Sequence, residues 1–256
     1  MKVVILAGGM GTRLAEETDF IPKPMVRIGD YPILWHIMRH YARHDFKEFI
    51  IALGYKGYVV KRFLMDISVS ESSLTVDMRT GRVSPHDDVA ALDWKVHLLE
   101  TGLDSLTAVR VRMSMSLVGD ETFMMTYGDG VSNVDLNRLV EFHRSHGKLA
   151  TMTVVRPPSH FGRMHLNGDR VVEFVEKPTH HDDWVNGGFF VLEPGVGDYL
   201  TEGGVWEVAA LERLAAEGEL CAYRHQGFWQ CMDSLRDKRL LDQLWEAGDA
   251  PWKTWE

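Results

Sequence analysis

Glycines arrive in a burst after the first apolar run of this chain. Lys2-Val-Val-Ile-Leu6 empties into Ala7-Gly-Gly-Met-Gly-Thr-Arg-Leu14, and Pro22-Lys-Pro24 follows shortly after. A glycine turn exposes backbone N–H groups with no Cβ in the way, so a phosphate can approach closely. An arginine and a lysine on short tethers then hold its charge. Gly8, Gly9 and Gly11 would shape the cradle, Thr12 and Arg13 line it, and Lys23 reach across it. A flexible glycine turn beside two solvated basic residues is the bland alternative, and the presence of both Arg13 and Lys23 favours the phosphate reading. A Walker loop is excluded because Gly11-Thr12-Arg13 lacks the closing Gly-Lys-Ser/Thr. The dinucleotide fingerprint also fails, since Leu14 stands where its last glycine belongs and the second strand ends at Leu53-Gly54 without an acid.

The acidic candidates are more ambiguous. Tyr127-Gly-Asp-Gly130 ends an apolar strand on the same predicted sheet edge as the glycine loop, the edge where open parallel sheets bind ligands. Asp129 there suits Mg²⁺, which takes one or two carboxylates plus phosphate oxygens. An ordinary Asp-Gly turn competes with that reading. Asp233, in Phe228-Trp-Gln-Cys-Met-Asp-Ser234, precedes the last predicted helix, and an N-cap worth about 1 kcal/mol explains it unaided. Brought opposite Asp129, it would flank the same cation. Glu176-Lys-Pro178 ends a strand and Asn186-Gly-Gly188 opens one. Glu176 and Asn186 suit sugar hydroxyls and Lys177 a phosphate; two hairpin ends with an exposed ion pair are the alternative. The histidines show no metal-ligand spacing and read as surface or satisfied core residues.

These residues need a scaffold, and its pattern is legible. Strands at Val3–Leu6, Phe49–Leu53 and Phe123–Thr126 alternate with helical patterns starting at Ile33, near Tyr58 and near Val134-Asp135. Such alternation predicts right-handed crossovers and a mostly parallel sheet. Closely spaced strands at 151–155, 163–166, 171–175 and 189–192, with a turn at Asn167-Gly168, predict an antiparallel segment appended to it. Helices from about Val205 to Glu217 and from about Asp233 to Trp245 close the pattern. The expectation is a single domain over 1–256: a nucleotide-binding half to about 130, a sugar-phosphate half over about 131–235, then a helix and tail. Its 256 residues are ample for one core. A net charge of −9 and no Lys/Arg run argue against a nucleic-acid surface. Two cysteines are too few for a disulfide framework, and the first apolar run is too short for a signal peptide or a membrane span. A cytoplasmic protein with no membrane partner is the expectation.

Taken in order, the glycine loop, Pro22-Lys-Pro-Met25, Tyr127-Gly-Asp-Gly130, Glu176-Lys-Pro178, Asn186-Gly-Gly188 and Trp229-Gln-Cys-Met-Asp233 resemble the sugar-1-phosphate nucleotidylyltransferases over essentially the full length. Pro32-Ile-Leu-Trp-His-Ile-Met38, Gly54-Tyr-Lys-Gly-Tyr58, Phe228-Trp-Gln230 and the tail from Ala250 are most similar to the branch that joins CTP to α-D-glucose 1-phosphate. The resemblance implies an α/β fold with a Rossmann-like, mostly parallel mixed sheet flanked by helices and a small antiparallel sugar-binding lobe. It implies that Leu6, Ala7, Gly8, Gly9, Met10, Gly11, Thr12, Arg13, Lys23, Ser105, Arg110 and Gly128 bind the nucleoside triphosphate. Arg13, Lys23 and Asp129 would be catalytic, with Asp129 and Asp233 holding Mg²⁺. Tyr127, Gly162, Glu176, Lys177, Asn186 and Gly187 would receive the sugar phosphate. In-line attack on the α-phosphorus would give CDP-glucose and pyrophosphate, in a homo-oligomer. Another base or sugar phosphate, or a low-turnover binding homologue, are the alternatives.

Three segments depart from the family pattern. Thr107-Ala-Val-Arg110 stands where Thr-Gly-Gly-Arg is usual in a second nucleotide loop. Valine resists positive φ, and the two side chains would occupy space that a nucleotide approaches. Ala209-Ala-Leu211, after Trp206-Glu207, replaces a usual Glu-Pro-Leu, and His160 replaces an arginine before Phe161-Gly162.

Overall fold

The computed structural model describes residues 1–9, 14, 18, 20–70, 73–85, 92–157, 163–167, 170–175, 184–201 and 203–255. The chain runs β1 (Val3–Ala7), a 3-10 turn at Lys23–Met25, a small pair β2 (Arg27–Ile28) and β3 (Tyr31–Pro32), α1 (Ile33–Arg43), β4 (Glu48–Leu53) and α2 (Gly57–Ser70). A hairpin of β5 (Leu74–Asp77) and β6 (Arg82–Pro85) precedes β7 (Lys95–Glu100), α3 (Thr107–Val118) and β8 (Phe123–Tyr127). Then come β9 (Gly130–Ser132), α4 (Leu136–His146), β10 (Ala150–Val155), the pair β11 (Arg163–Asn167) and β12 (Arg170–Val175), and β13 (Val185–Leu192). A π-helical turn at Trp206–Ala210 leads through α5 (Leu211–Ala216) to β14 (Leu220–Arg224), β15 (Trp229–Cys231) and α6 (Leu235–Glu246).

Seven strands form the main sheet in the order β14-β10-β13-β8-β1-β4-β7. β1 pairs in parallel with β4 and β8, β4 with β7, and β10 with β14. Only β13 is reversed, antiparallel to both β8 and β10. The mostly parallel mixed sheet flanked by helices is therefore what the alternating pattern foretold. β1 is buried at every residue because both faces of the sheet are covered, which is why it reads as an unbroken apolar run. Val3, Ile5 and Ala7 face a core shared with Ile33, Tyr41 and Trp252, whereas Val4 and Leu6 face one shared with Val111, Phe190 and Trp206.

Two expectations change in the second half. The helix expected from Val205 begins instead as a π turn, closed by Leu211 N–H on the Trp206 carbonyl, and becomes α-helical only from Leu211. The segment 107–110, expected as a loop, is the first turn of α3. Helical backbone has negative φ, and the non-glycine residues with positive φ among those described are Asp45 and Lys56. The bulk of Ala108 and Val109 therefore strains nothing. The turn at Asn167-Gly168 lies partly outside the described residues, although β11 and β12 pair as expected. Among the described residues no helix is long and apolar enough to cross a membrane.

Candidate active site

Parallel pairing aligns the carboxyl ends of β1 and β8, with Leu6 opposite Tyr127. Both strands stop at one edge, and their glycines let the following backbone pack tightly. Gly128 N–H donates to the Leu6 carbonyl at 3.0 Å, and a Cβ at Gly128 would stand 3.0 Å from the Pro24 ring and 3.1 Å from that carbonyl. A cleft of about 430 Å³ opens at this edge. Leu6, Ala7, Gly8, Gly9, Lys23, Ser105, Arg110, Tyr127, Gly128, Asp129 and Asp233 all line it, so these sequence-derived candidates share one site. Met10, Gly11, Thr12, Arg13, Gly162, Glu176 and Lys177 lie outside the described residues.

Lys23 is fixed by a short turn. Pro22 and Pro24 flank it, Met25 N–H donates to the Pro22 carbonyl at 2.7 Å, and Val26 N–H donates to the Lys23 carbonyl at 3.0 Å. Its Nζ donates to Asp129 Oδ2 at 2.7 Å and also to Asp233 Oδ1. Burial works against the ammonium, but the attraction of Asp129 and then of Asp233 outweighs it and holds the pKa above the ordinary lysine value. Asp233 reaches this point because β15 pairs with β9 and Met232 N–H donates to the Asp129 carbonyl at 2.8 Å. The helix cap that would have explained Asp233 is supplied by its neighbour. Ser234 is the N-cap of α6, accepting from Asp237 N–H, and the Asp237 carboxylate accepts from Ser234 N–H at 2.9 Å. Asp233 is thereby left to face Asp129.

Two carboxylates converging on one ammonium mark the point between them as a cation position. Hard oxygen donors of this kind are what Mg²⁺ takes, with phosphate oxygens and water completing its shell. The residues present fit the ion. Cys231 lies beside them, 3.8 Å from Asp233 Oδ2, and burial, then the charges of Asp233 and Asp129, push its thiol up to about 12, so it stays protonated.

At the glycine-loop end the cation is Arg110, which is 4 % exposed. Its guanidinium donates to the carbonyls of Gly8 and Leu53, each at 3.1 Å, to Leu103 at 3.2 Å, and to Thr101 Oγ1. These acceptors are neutral oxygens, and burial lowers the arginine's pKa. The group is wedged so closely that a Cβ on Gly8 would overlap it. Thr107 and Arg110, three residues apart on α3, present one face to the cleft. Ala108 turns into the core and Val109 is not part of the wall, so neither fills the cleft.

A second cleft of about 250 Å³ shares Tyr127, Asp129 and Asp233 with the first and adds Asn186, Gly187, Gly188, Trp229 and Cys231. Asn186 Nδ2 donates to the Tyr127 hydroxyl at 3.3 Å, and Trp229 Nε1 donates to the Gly187 carbonyl at 2.7 Å. Gly188 has φ +80°, and a Cβ there would lie 2.8 Å from the Tyr127 ring. Sequence reasoning missed Thr107, Val205, Gly188 and Trp229 as wall residues, and it missed Glu207 behind them. Glu207 Oε1 accepts from the Tyr127 hydroxyl at 2.5 Å and Oε2 from Thr107 Oγ1 at 3.1 Å. Thr107, Gly188, Trp229 and Glu207 all lay inside segments quoted above, but no spacing rule ties residue 207 to residue 127.

Residues 2–226 match the nucleotidyl transferase family. The chain belongs to that family. It is 48% identical to a glucose-1-phosphate cytidylyltransferase of Salmonella typhimurium, with all of both chains covered. It is 44% identical to a probable glucose-1-phosphate cytidylyltransferase of Bacillus subtilis, again over all of both chains. Among solved structures, HddC from Yersinia pseudotuberculosis complexed with GMP-PN superposes with a TM-score of 0.69 at 21% identity, covering 95% of this chain and 99% of that one. A UDP-glucose pyrophosphorylase complexed with UDP-glucose superposes with a TM-score of 0.67 at 16% identity, covering 96% and 98%. At such identities these neighbours speak for the fold, and it is the fold this family membership implies.

Proposed function

We propose that this protein joins α-D-glucose 1-phosphate to CTP, releasing CDP-glucose and pyrophosphate. The observation that carries this reading is 48% identity, end to end, with a glucose-1-phosphate cytidylyltransferase. The cleft chemistry agrees with it. A phosphate oxygen of the sugar phosphate attacks the α-phosphorus in line; a new P–O bond forms and the bond to the β-phosphate's bridging oxygen breaks. The nucleophile is ionised at neutral pH, so no general base is needed, and catalysis reduces to alignment and charge neutralisation of two anions.

In this reading the larger cleft takes the nucleotide and the smaller one the sugar phosphate, meeting at Tyr127, Asp129 and Asp233. The halves of the chain divide accordingly, at about residue 130. Lys23 neutralises oxygens on the reacting phosphorus, supported by its short tether and protonated state. Arg110 holds the Gly8 carbonyl, keeping the glycine turn's N–H groups toward the phosphates. Asn186 and Gly187 meet the sugar, and Arg13, Glu176 and Lys177 complete the phosphate and sugar contacts as the family resemblance implies. Asp129 and Asp233 hold Mg²⁺, which when bound neutralises phosphate oxygens and steadies the leaving pyrophosphate. A homo-oligomer in the cytoplasm belongs to the same reading, the second supported by two free cysteines.

The test is pyrophosphate release with CTP, UTP, dTTP and GTP against a panel of sugar 1-phosphates, with and without Mg²⁺. Fastest turnover is expected with CTP and α-D-glucose 1-phosphate, and only with the metal. Faster turnover with another pair would reassign the substrates; tight nucleotide binding without turnover would make the protein a binding homologue.

A further inference from the structure

Glu207 touches neither cleft, yet its two oxygens hold one wall residue of each. We propose that Glu207 is a positioning residue for sugar-phosphate binding: through the Tyr127 hydroxyl it sets the direction of a hydrogen-bond chain that presents Asn186 to the sugar. The inference rests on the nucleotidyl-transfer reading of the site.

The chain has a defined polarity. A carboxylate only accepts, so the Tyr127 proton must point at Glu207 Oε1. That leaves a lone pair on the phenol oxygen, which takes Asn186 Nδ2–H. Asn186 Oδ1 is already committed, accepting from Gly188 N–H at 2.8 Å, so the amide cannot flip. One Nδ2–H then remains to face the smaller cleft. Without an acceptor at residue 207 the phenol proton turns toward Asn186, donor against donor, and the amide must move. Tyr127 is a sensitive place for this effect because it lines both clefts and its ring lies against Gly188.

The backbone around Glu207 is built for the contact. Trp206 N–H donates to Thr107 Oγ1 at 2.8 Å, and Ala108 N–H donates to the Gly204 carbonyl at 3.3 Å, tying the start of α3 to the residues before Glu207. Glu207 sits in the π turn, whose extra residue per turn re-aims side chains relative to an α-helix and which recurs at functional sites.

Calorimetric titration of CTP and of sugar 1-phosphate into wild type, E207L, E207Q, Y127F and E207L/Y127F tests this. Leucine keeps the volume and removes both acceptors. E207L and Y127F should each weaken α-D-glucose 1-phosphate binding about tenfold, with CTP affinity within about threefold of wild type. E207Q should recover most of the loss, since its Oε1 can still accept from Tyr127 while its amide faces Thr107. The double variant should bind no more than about twofold worse than the weaker single, because both changes break one chain. Sugar-phosphate affinity within twofold of wild type in either single variant overturns the proposal, as does equal weakening of CTP or multiplication of the two effects. Should E207L fail to fold, Y127F and E207Q/Y127F carry the same comparison. Absence of wild-type turnover with CTP and glucose 1-phosphate counts against the proposed substrates alone, and the affinity comparison is then made with the sugar 1-phosphate that wild type binds.

Discussion

The cleft holds a cation at each end, half-buried Lys23 at one and buried Arg110 at the other, and the two are kept charged by opposite means. Lys23 stands at the junction between two carboxylates, so that end carries more negative than positive charge. Arg110, beneath the glycine turn, is satisfied by carbonyls and a hydroxyl and keeps its charge uncancelled by those partners. One end is therefore prepared for a further cation and the other for an anion. A metal–triphosphate complex has that same polarity, so in the proposed reading the difference between the ends would orient it before any contact with the base.

Asp129→Asn is the largest break in this contrast. It removes half of the negative charge at the junction and should lower Mg²⁺-dependent pyrophosphate release at least a thousandfold, ~4 kcal/mol of transition-state stabilisation. The thermal melt should stay within a few degrees of wild type; activity near wild type would remove Asp129 from the metal site.

A third buried base sharpens the comparison because the same fold keeps it neutral. His36 is fully buried beneath Trp252, donating from Nε2 to the Ile28 carbonyl at 3.0 Å and accepting Trp252 Nε1–H at Nδ1. Burial drops its pKa from 6.5 to about 4. The unfolded chain takes up the proton first, so this stability is complete above pH 6.5 and disappears as pH falls toward 4. The His36 share of that loss, roughly 3 kcal/mol, is the difference between denaturant melts of wild type and His36→Gln across the window, and His40, whose pKa burial lowers to about 3, leaves a residual slope in the variant. Equal slopes in the two proteins would show that His36 takes up its proton in the folded chain at the same pH as in the unfolded one.

Arg110→Met probes the anion end. Two of its four acceptors keep other donors, since Tyr55 N–H also donates to the Gly8 carbonyl and Thr101 to the Leu53 carbonyl. Stability should therefore change little, while CTP binding weakens about tenfold, ~1.4 kcal/mol by calorimetry. A large loss of stability with unchanged CTP affinity would make the arginine purely architectural. The smallest effect is expected of Ser234→Ala, about 1 kcal/mol of stability from the lost cap of α6, read from chemical denaturation. A loss of metal-dependent turnover exceeding that of Asp129→Asn would mean Ser234, and not Asp233, is the ligand.

How much of this was legible in the sequence depended on whether the physics was local. Gly8 and Gly128 announce themselves because the close approach of Arg110 and of Pro24 leaves no room for a Cβ, and the sheet followed from unbroken apolar runs at β1, β4 and β8. Asp233 was ambiguous because a cap and a metal ligand want the same carboxylate; the adjoining Ser234 removes the cap reading by taking the cap itself. Ala108 and Val109 misled because a missing glycine signals a lost loop only if the backbone there is a loop, and here it is helix. Glu207 was invisible, for its meaning comes from Tyr127, 80 residues earlier, reached only when the π turn and β8 meet.

Lys23 also has a mechanical role. Its Nζ touches residues 106 and 210 positions further along, so one ammonium fastens three distant stretches of chain like a reversible cross-link. Closing loops of that length costs only slightly more entropy than closing short ones, and a single polar contact can hold them. Any anion that draws the lysine away unfastens both loops together, and the segment carrying Asp233 then rests on the pairing of β15 with β9, the Met232 N–H bond to the Asp129 carbonyl and the cap of α6.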